Sequence, residues 1–174
     1  HIRLLPGGAV SPFVRDKLKL GDKVKVVGPF GISFLRDGHA GPILALAGGS
    51  GLAPIKSIVE TALAQGKARP ITLYFGVRAE RDLYLEDHFA ALAKTHANFR
   101  FIPVLSEPGG ATPHRAGFLA DVVARDIASV DGLKAYLAGP PIMVETCVKA
   151  LAAKGLGREH CHADAFYTEA EKPK

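Results

Sequence analysis

From residue 43 onward, short apolar runs alternate with stretches whose apolar residues recur at helical spacing. The runs Ile43–Ala47, Ile71–Phe75, Phe99–Val104, Lys134–Ala138 and Cys161–Phe166 have strand length. Ala53–Gln65, Leu85–Lys94, Phe118–Ala128 and Ile142–Lys154 have helical periodicity and lie between them. The short apolar run near residue 100 is also compatible with a helix, but its strand formers and Pro103 speak for a strand. Strands separated by amphipathic helices predict an α/β domain: a five-stranded parallel sheet with helices on both faces.

Residues 1–37 have another texture. Lys23-Val24-Lys25-Val26-Val27 alternates after the turn Leu20-Gly21-Asp22, as a half-buried antiparallel strand does. Ile2–Leu5 and Ile32–Leu35 read as two more strands. Between them, Ser11 reads as the cap of a short helix with Pro12 at its first position, and Gly7 and Gly8 before it form a turn able to expose N–H groups. Three strands and one helix do not close a barrel. The expectation is therefore a boundary at 37/38, with residues 1–37 the C-terminal part of an antiparallel barrel whose remainder lies upstream. The charged tail, Glu169–Lys174, is expected to fray.

The chemistry concentrates in Gly48-Gly49-Ser50-Gly51-Leu52-Ala53-Pro54, between the first strand of the α/β region and its first helix. Strand, glycine turn, helix aims backbone N–H groups and a positive helix end at an anion, usually a phosphate. Pro54 suits the first helical turn, where a missing N–H costs nothing. Two familiar phosphate motifs do not match. Leu52 and Ala53 stand where a P-loop needs Lys and Ser or Thr, which argues against an NTPase. Pro54 stands where the dinucleotide fingerprint has its third glycine, and the next strand ends Gly76-Val77-Arg78 instead of on an acid. A nucleotide or dinucleotide site and a plain tight turn both remain open at this point.

Composition narrows the classes. The 174 residues suffice for one ordinary domain with part of another, and 48% apolar content supplies a sizeable core. The formal charge of +5 is spread among acids, as in Arg78-Ala79-Glu80-Arg81-Asp82, which suits a solvated mixed surface or a basic face for an acidic protein partner. No basic stripe interleaves with aromatics, so nucleic acid is not an expected partner. No apolar run reaches membrane-spanning length and no signal peptide is evident, so a cytoplasmic protein without a membrane partner is expected. Cys147 and Cys161 lack ligand spacing and read as buried thiols; no metal site is expected from this chain's cysteines. His160 and His162 are read as turn and strand residues.

Taken in order, Gly8-Ala9-Val10-Ser11, Leu18-Lys19-Leu20-Gly21-Asp22, Gly28-Pro29-Phe30-Gly31, Gly48–Pro54, Tyr74-Phe75-Gly76-Val77-Arg78, Ala138-Gly139-Pro140-Pro141 and His162-Ala163-Asp164-Ala165-Phe166-Tyr167 resemble the flavin-dependent ferredoxin–NAD(P) reductase superfamily. The resemblance is greatest to the reductase components of bacterial aromatic-ring-hydroxylating dioxygenases, here N-terminally truncated. It implies an antiparallel FAD-binding barrel followed by a parallel NAD(P)-binding domain over 38–174. Gly8, Ala9, Val10 and Ser11 would hold the FAD pyrophosphate. Gly48, Gly49, Ser50, Gly51 and Pro54 would carry the NAD(P) pyrophosphate, with Gly76, Arg78 and Ser106 at neighbouring strand ends. For Arg78, a surface ion pair with Glu80 or Asp82 is the other reading. Gly139, Pro140, Pro141 and Met143 would lie by the nicotinamide. Phe166 and Tyr167 would lie near the flavin ring with Asp164 beside it, Phe166 and Asp164 being the candidate catalytic residues; a terminal core strand is the alternative.

Two departures carry information. Ala138 stands where many members have cysteine, which removes a thiol contact to the nicotinamide. Ser106 is followed by Glu107, where NADPH-using relatives commonly have arginine; a carboxylate repels a 2′-phosphate and suits a ribose hydroxyl. NADH is the expected donor, with NADPH open because Arg115 is near in sequence. The implied function is hydride transfer from NADH to FAD, then electron transfer to a ferredoxin or oxygenase iron–sulfur protein. Any iron–sulfur cluster would belong to a partner or to a missing domain. The competing readings are a non-catalytic nucleotide-binding or regulatory module and an NADPH-preferring ferredoxin reductase.

Overall fold

The computed structural model describes residues 1–28, 30–31 and 33–168. The chain divides into two compact units, His1–Ile32 and Ser33–Lys174.

From residue 43 onward every expected strand forms: β1 (Ile43–Gly48), β2 (Ile71–Val77), β3 (Phe99–Leu105), β5 (Lys134–Gly139) and β6 (Cys161–Ala165). A sixth, β4 (Arg115–Ala116), extends one edge. Two residues leave no periodicity to read, so the five-stranded expectation becomes six. The order is β4-β3-β2-β1-β5-β6, and every pairing is parallel. The connections run outward from β1 to one edge and then return to its other side, so the direction of winding reverses between β1 and β5. In open parallel sheets ligands gather at such a reversal, outside the carboxyl ends of the strands.

Helices α2 (Leu52–Ala64), α3 (Glu86–Thr95), α4 (Leu119–Asp126) and α5 (Pro141–Ala153) cover both faces. All six residues of β1 are buried, which explains its unbroken apolar run. Ile43, Ala45 and Ala47 join one core layer with Ile55, Val59 and Phe89. Leu44 and Leu46 join the opposite layer with Val122, Val144 and Leu151. The two-residue side-chain alternation of a strand thus serves both layers. Leu35 is buried in the first of these layers, and the next N–H, of Arg36, donates to the Tyr136 hydroxyl at 2.9 Å.

The first unit departs from expectation. It holds one helix, α1 (Val10–Asp16), and no strand among its described residues. Ile2–Leu5 and Lys23–Val27 form no ladder, and Val24, Val26 and Val27 are exposed. A strand is stable only when paired, and an alternating pattern does not supply a partner. Of the expected strand Ile32–Leu35, residue 32 lies outside the described residues and 33–35 are not extended in a ladder. Pro29 and the expected frayed tail 169–174 also lie outside them.

Ser11 is not the helix cap. The helix begins at Val10 with Ala9 before it, so Pro12 occupies the third helical position. The Ser11 hydroxyl instead accepts the Leu5 N–H at 3.0 Å, and the Gly8 N–H donates to the Leu5 carbonyl at 3.0 Å. Gly7, at φ +74, permits this fold-back.

Candidate functional site

Along the carboxyl edge of the sheet, Gly48 of β1 is in register with Gly76 of β2, which is in register with Val104 of β3. On the other side Ala47 pairs Ala138, which brings Gly139 beside Gly48. Small residues therefore line the edge on both sides of the winding reversal.

Between β1 and α2, Gly49–Gly51 form a single 3-10 turn that runs directly into the helix. Gly49 sits at φ +52 with open space where a side chain would project. Gly51 is the opposite case. A Cβ there would collide with the Ala138 carbonyl and with the Gly139 N at 2.6 Å. Only glycine lets the turn lie against β5. A Cβ on Gly48 would lie 2.8 Å from the Met143 methyl and 2.9 Å from Pro140 Cδ. Gly139, at φ +144, would meet the Gly48 carbonyl at 2.7 Å and the Met143 methyl at 2.9 Å. Gly48, Gly51 and Gly139 thus knit two turns into one floor, and Met143 packs over it.

Two helix N-termini flank this floor. Helix α2 starts from Gly51, and α5 starts at Pro141 behind Pro140 in extended conformation. Each has 13 residues, long enough for aligned peptide dipoles, and neither has an acid in its first turn to offset the positive end. The first N–H groups of each helix have no acceptor within the helix. The arrangement suits an anion, and a diphosphate in particular.

The remaining candidate residues of the second unit lie at the carboxyl ends of the strands, just beyond them, or in the helix that follows β1. Ser106 N–H donates to the Val77 carbonyl at 3.0 Å, and Glu107 N–H to the Arg78 carbonyl at 2.7 Å. The ends of β2 and β3 are thereby tied together, with Arg78 and Glu107 both exposed. Arg78 makes no ion pair with Glu80 or Asp82 among the described residues. Asp164 on β6 pairs with Ala138 and is half-buried. The Phe166 N–H donates to the Gly139 carbonyl at 2.9 Å, which holds its exposed ring at the same sheet edge. The Tyr167 hydroxyl donates to Glu145 Oε1 at 3.1 Å, tying the residue to α5. Pro54 lies half-buried in the first turn of α2. Gly8–Ser11 belong to the first unit; there the Ser11 hydroxyl accepts from Leu5 yet keeps its own proton to donate.

Two groups were missed by the sequence reading. Tyr84 donates its hydroxyl to the Gly49 carbonyl at 3.0 Å, across 35 positions of chain. Asp126, nearly buried, accepts from Arg115 Nε at 3.1 Å and from Arg125 Nε at 3.2 Å. Neither contact has a local signature; Asp82-Leu83-Tyr84-Leu85 reads only as the entry to a helix. The two thiols are inert in character. Burial pushes Cys147 up to about 12, with smaller contributions from Cys161 and Asp121, and burial pushes Cys161 up to about 11.

A family model described as the oxidoreductase NAD-binding domain matches residues 45–149. The ferredoxin–NAD(P)+ reductase component of the naphthalene 1,2-dioxygenase/salicylate 5-hydroxylase systems of Ralstonia sp. is 43% identical over 167 residues, spanning 96% of this chain and 51% of that protein. The corresponding naphthalene 1,2-dioxygenase component of Pseudomonas putida is 42% identical, spanning 96% and 51%. Among solved structures, an Amycolatopsis cytochrome P450 reductase matches with a TM-score of 0.88 at 38% identity, covering 95% of this chain and 50% of that one. The chain spans about half the length of the curated relatives it matches.

Proposed function

The chain belongs to the oxidoreductase NAD-binding domain family, and from that membership we propose that it serves a flavin-dependent electron-transfer reductase. NADH binds on the Gly48–Gly51 and Gly139–Pro141 floor. With FAD held beside it, the chain would serve hydride transfer from NADH to the flavin and onward electron delivery to an iron–sulfur ferredoxin or oxygenase partner. The reading is supported by the reductase components that share more than two-fifths of its residues. The single observation that carries it is the meeting of the two turns at the winding reversal, where Gly51 has no room for a Cβ against Ala138.

The residues fit the nucleotide they would hold. Two uncompensated helix ends and the N–H groups of Ser50 and Gly51 suit the diphosphate. Arg78 and Glu107 stand where the adenosine ribose would come, at the joined ends of β2 and β3. Arg115 is engaged by Asp126, so its charge is partly neutralised, and the carboxylate of Glu107 favours a 2′-hydroxyl over a 2′-phosphate. NADH is the preferred donor on this account. When bound, the nicotinamide supplies a hydride and the flavin accepts it and delivers electrons onward. The chain's own task is to position. Phe166, held by Gly139, supplies an aromatic face at the edge where the nicotinamide would end, with Asp164 near it on β6. On the flavin side, Ala9 and Val10 N–H groups and the Ser11 hydroxyl proton are the donors assigned to the FAD diphosphate.

Calorimetric titration with NADH, NADPH and ADP-ribose tests the nucleotide assignment. NADH and ADP-ribose are expected to bind in the micromolar range, and NADPH roughly tenfold more weakly for one repulsive carboxylate. Absence of NADH and ADP-ribose binding at millimolar ligand would overturn it. Flavin absorbance of the FAD-supplemented chain, bleached on adding NADH, tests the hydride-transfer step; an unchanged spectrum overturns it.

A further inference from the structure

We propose that Tyr84 is the positioning residue of the nucleotide site, latching the Gly49–Ser50 peptide so that the Ser50 N–H faces the diphosphate. The inference rests on the nucleotide reading of the glycine turn and adds a residue from a separate part of the chain.

In a trans peptide the carbonyl and the following N–H point in opposite directions. Whatever fixes the Gly49 carbonyl therefore also aims the Ser50 N–H. Within the turn that carbonyl accepts from the Leu52 N–H, which is shared with the Ser50 carbonyl. A shared N–H is a weak hold, and glycine at φ +52 has more backbone freedom than any other residue. A flip of this peptide would turn a carbonyl lone pair, in place of an N–H, toward the anion. The Tyr84 hydroxyl supplies the second hold at 3.0 Å, drawing the carbonyl inward.

Tyr84 is itself firmly set. Its ring meets Phe75 of β2 edge-on, with centroids 5.3 Å apart. Burial keeps the phenol above its ordinary pKa, so it remains a donor throughout the neutral range. The next residue, Leu85, is at φ +59 and ψ +23, a left-handed conformation that leucine rarely adopts. It turns the chain sharply into α3, where the Phe89 N–H bonds to its carbonyl at 3.1 Å. A strained residue beside a cross-chain hydrogen bond is maintained only where the surrounding packing enforces it.

The test is Tyr84→Phe in the full 174-residue chain, with ADP-ribose as probe. Losing one hydrogen bond is expected to weaken ADP-ribose binding roughly fivefold. The diagnostic readout is the Ser50 amide resonance, which shifts on ADP-ribose addition in the parent chain and shifts far less in the variant. A residue that merely supports the fold would lower thermal stability and leave that response intact. Replacing Tyr84 with 4-aminophenylalanine, which retains a donor at the same point, should restore both affinity and shift. Binding by Tyr84→Phe within twofold of the parent, with an unchanged Ser50 response, overturns the latch. Failure of the parent chain to bind ADP-ribose overturns the nucleotide reading itself, and the latch with it.

Discussion

Gly51 lies directly against the carbonyl of Ala138, so that the turn after β1 and the last peptide of β5 share a surface with no room for a methyl group. The contact closes the floor of the crevice at the winding reversal. A Cβ on Gly49, two residues earlier, would instead meet nothing within 4 Å and project into open space.

The two glycines should therefore fail in different ways. Gly51→Ala is expected to cost about 1–3 kcal/mol of stability or more, because backbone and not a flexible side chain must give way. Gly49→Val costs about 1–2 kcal/mol through its left-handed conformation. The latter places a branched side chain where the diphosphate would lie, and NADH binding should weaken about tenfold or more. Urea denaturation read beside NADH titration separates the two; wild-type affinity in Gly49→Val refutes the placement of the diphosphate.

Arg115 and Asp126 offer a handle on nucleotide choice. Asp126→Asn leaves Arg115 without its carboxylate, and Glu107→Arg reverses a charge at the joined strand ends. Each should raise the ratio of NADPH to NADH affinity, by roughly threefold for the first and tenfold or more for the second. Paired titrations with both nucleotides decide it. An unchanged ratio in Glu107→Arg places the 2′ position elsewhere.

Cysteine labelling follows from burial. A thiol raised to about 12 at Cys147 or about 11 at Cys161 holds almost no thiolate near pH 8. Alkylation by iodoacetamide should be slower than that of an ordinary thiol by roughly two to three orders of magnitude. Because the thiolate is the reactive form, the rate should climb about tenfold per pH unit up to pH 10. Peptide mass spectrometry of the folded chain measures each site. Rapid labelling of Cys147 at pH 8 contradicts the burial described here.

Phe166 and Tyr167 are adjacent yet differently tethered. Phe166→Ala removes the aromatic face while leaving the backbone bond to Gly139, and NADH-driven flavin reduction should slow about tenfold. Tyr167→Phe removes only the hydroxyl's bond to Glu145, an exposed contact, and should leave the thermal midpoint almost unchanged. Stopped-flow flavin reduction with Phe166→Ala is the decisive measurement; an unaltered rate leaves Phe166 no role beside the flavin.

The α/β region was legible because its signals are local. Leu44 and Leu46 alternate with Ile43, Ala45 and Ala47 in one apolar run because β1 is buried on both faces, and a strand of that kind declares itself in five residues. The turn Gly48–Gly51 was equally visible, since strand, glycines and helix are consecutive. The opening segment misled for the converse reason. Val24, Val26 and Val27 alternate correctly, but a ladder needs a partner and the described residues of that unit hold none. Ser11 has the chemistry of a cap, and its hydroxyl was claimed by Leu5 instead.

Periodicity and turn residues, read along the chain, determined that a wound parallel sheet would present a glycine turn at the start of α2. Tertiary structure alone decided that Gly51 abuts Ala138, that Tyr84 reaches Gly49 and that Asp126 restrains Arg115. The division has a physical cause. Backbone preference and amphipathic spacing act between neighbours, whereas a hydrogen bond or a steric limit between distant residues exists only once the packed strands have brought them within a few ångströms.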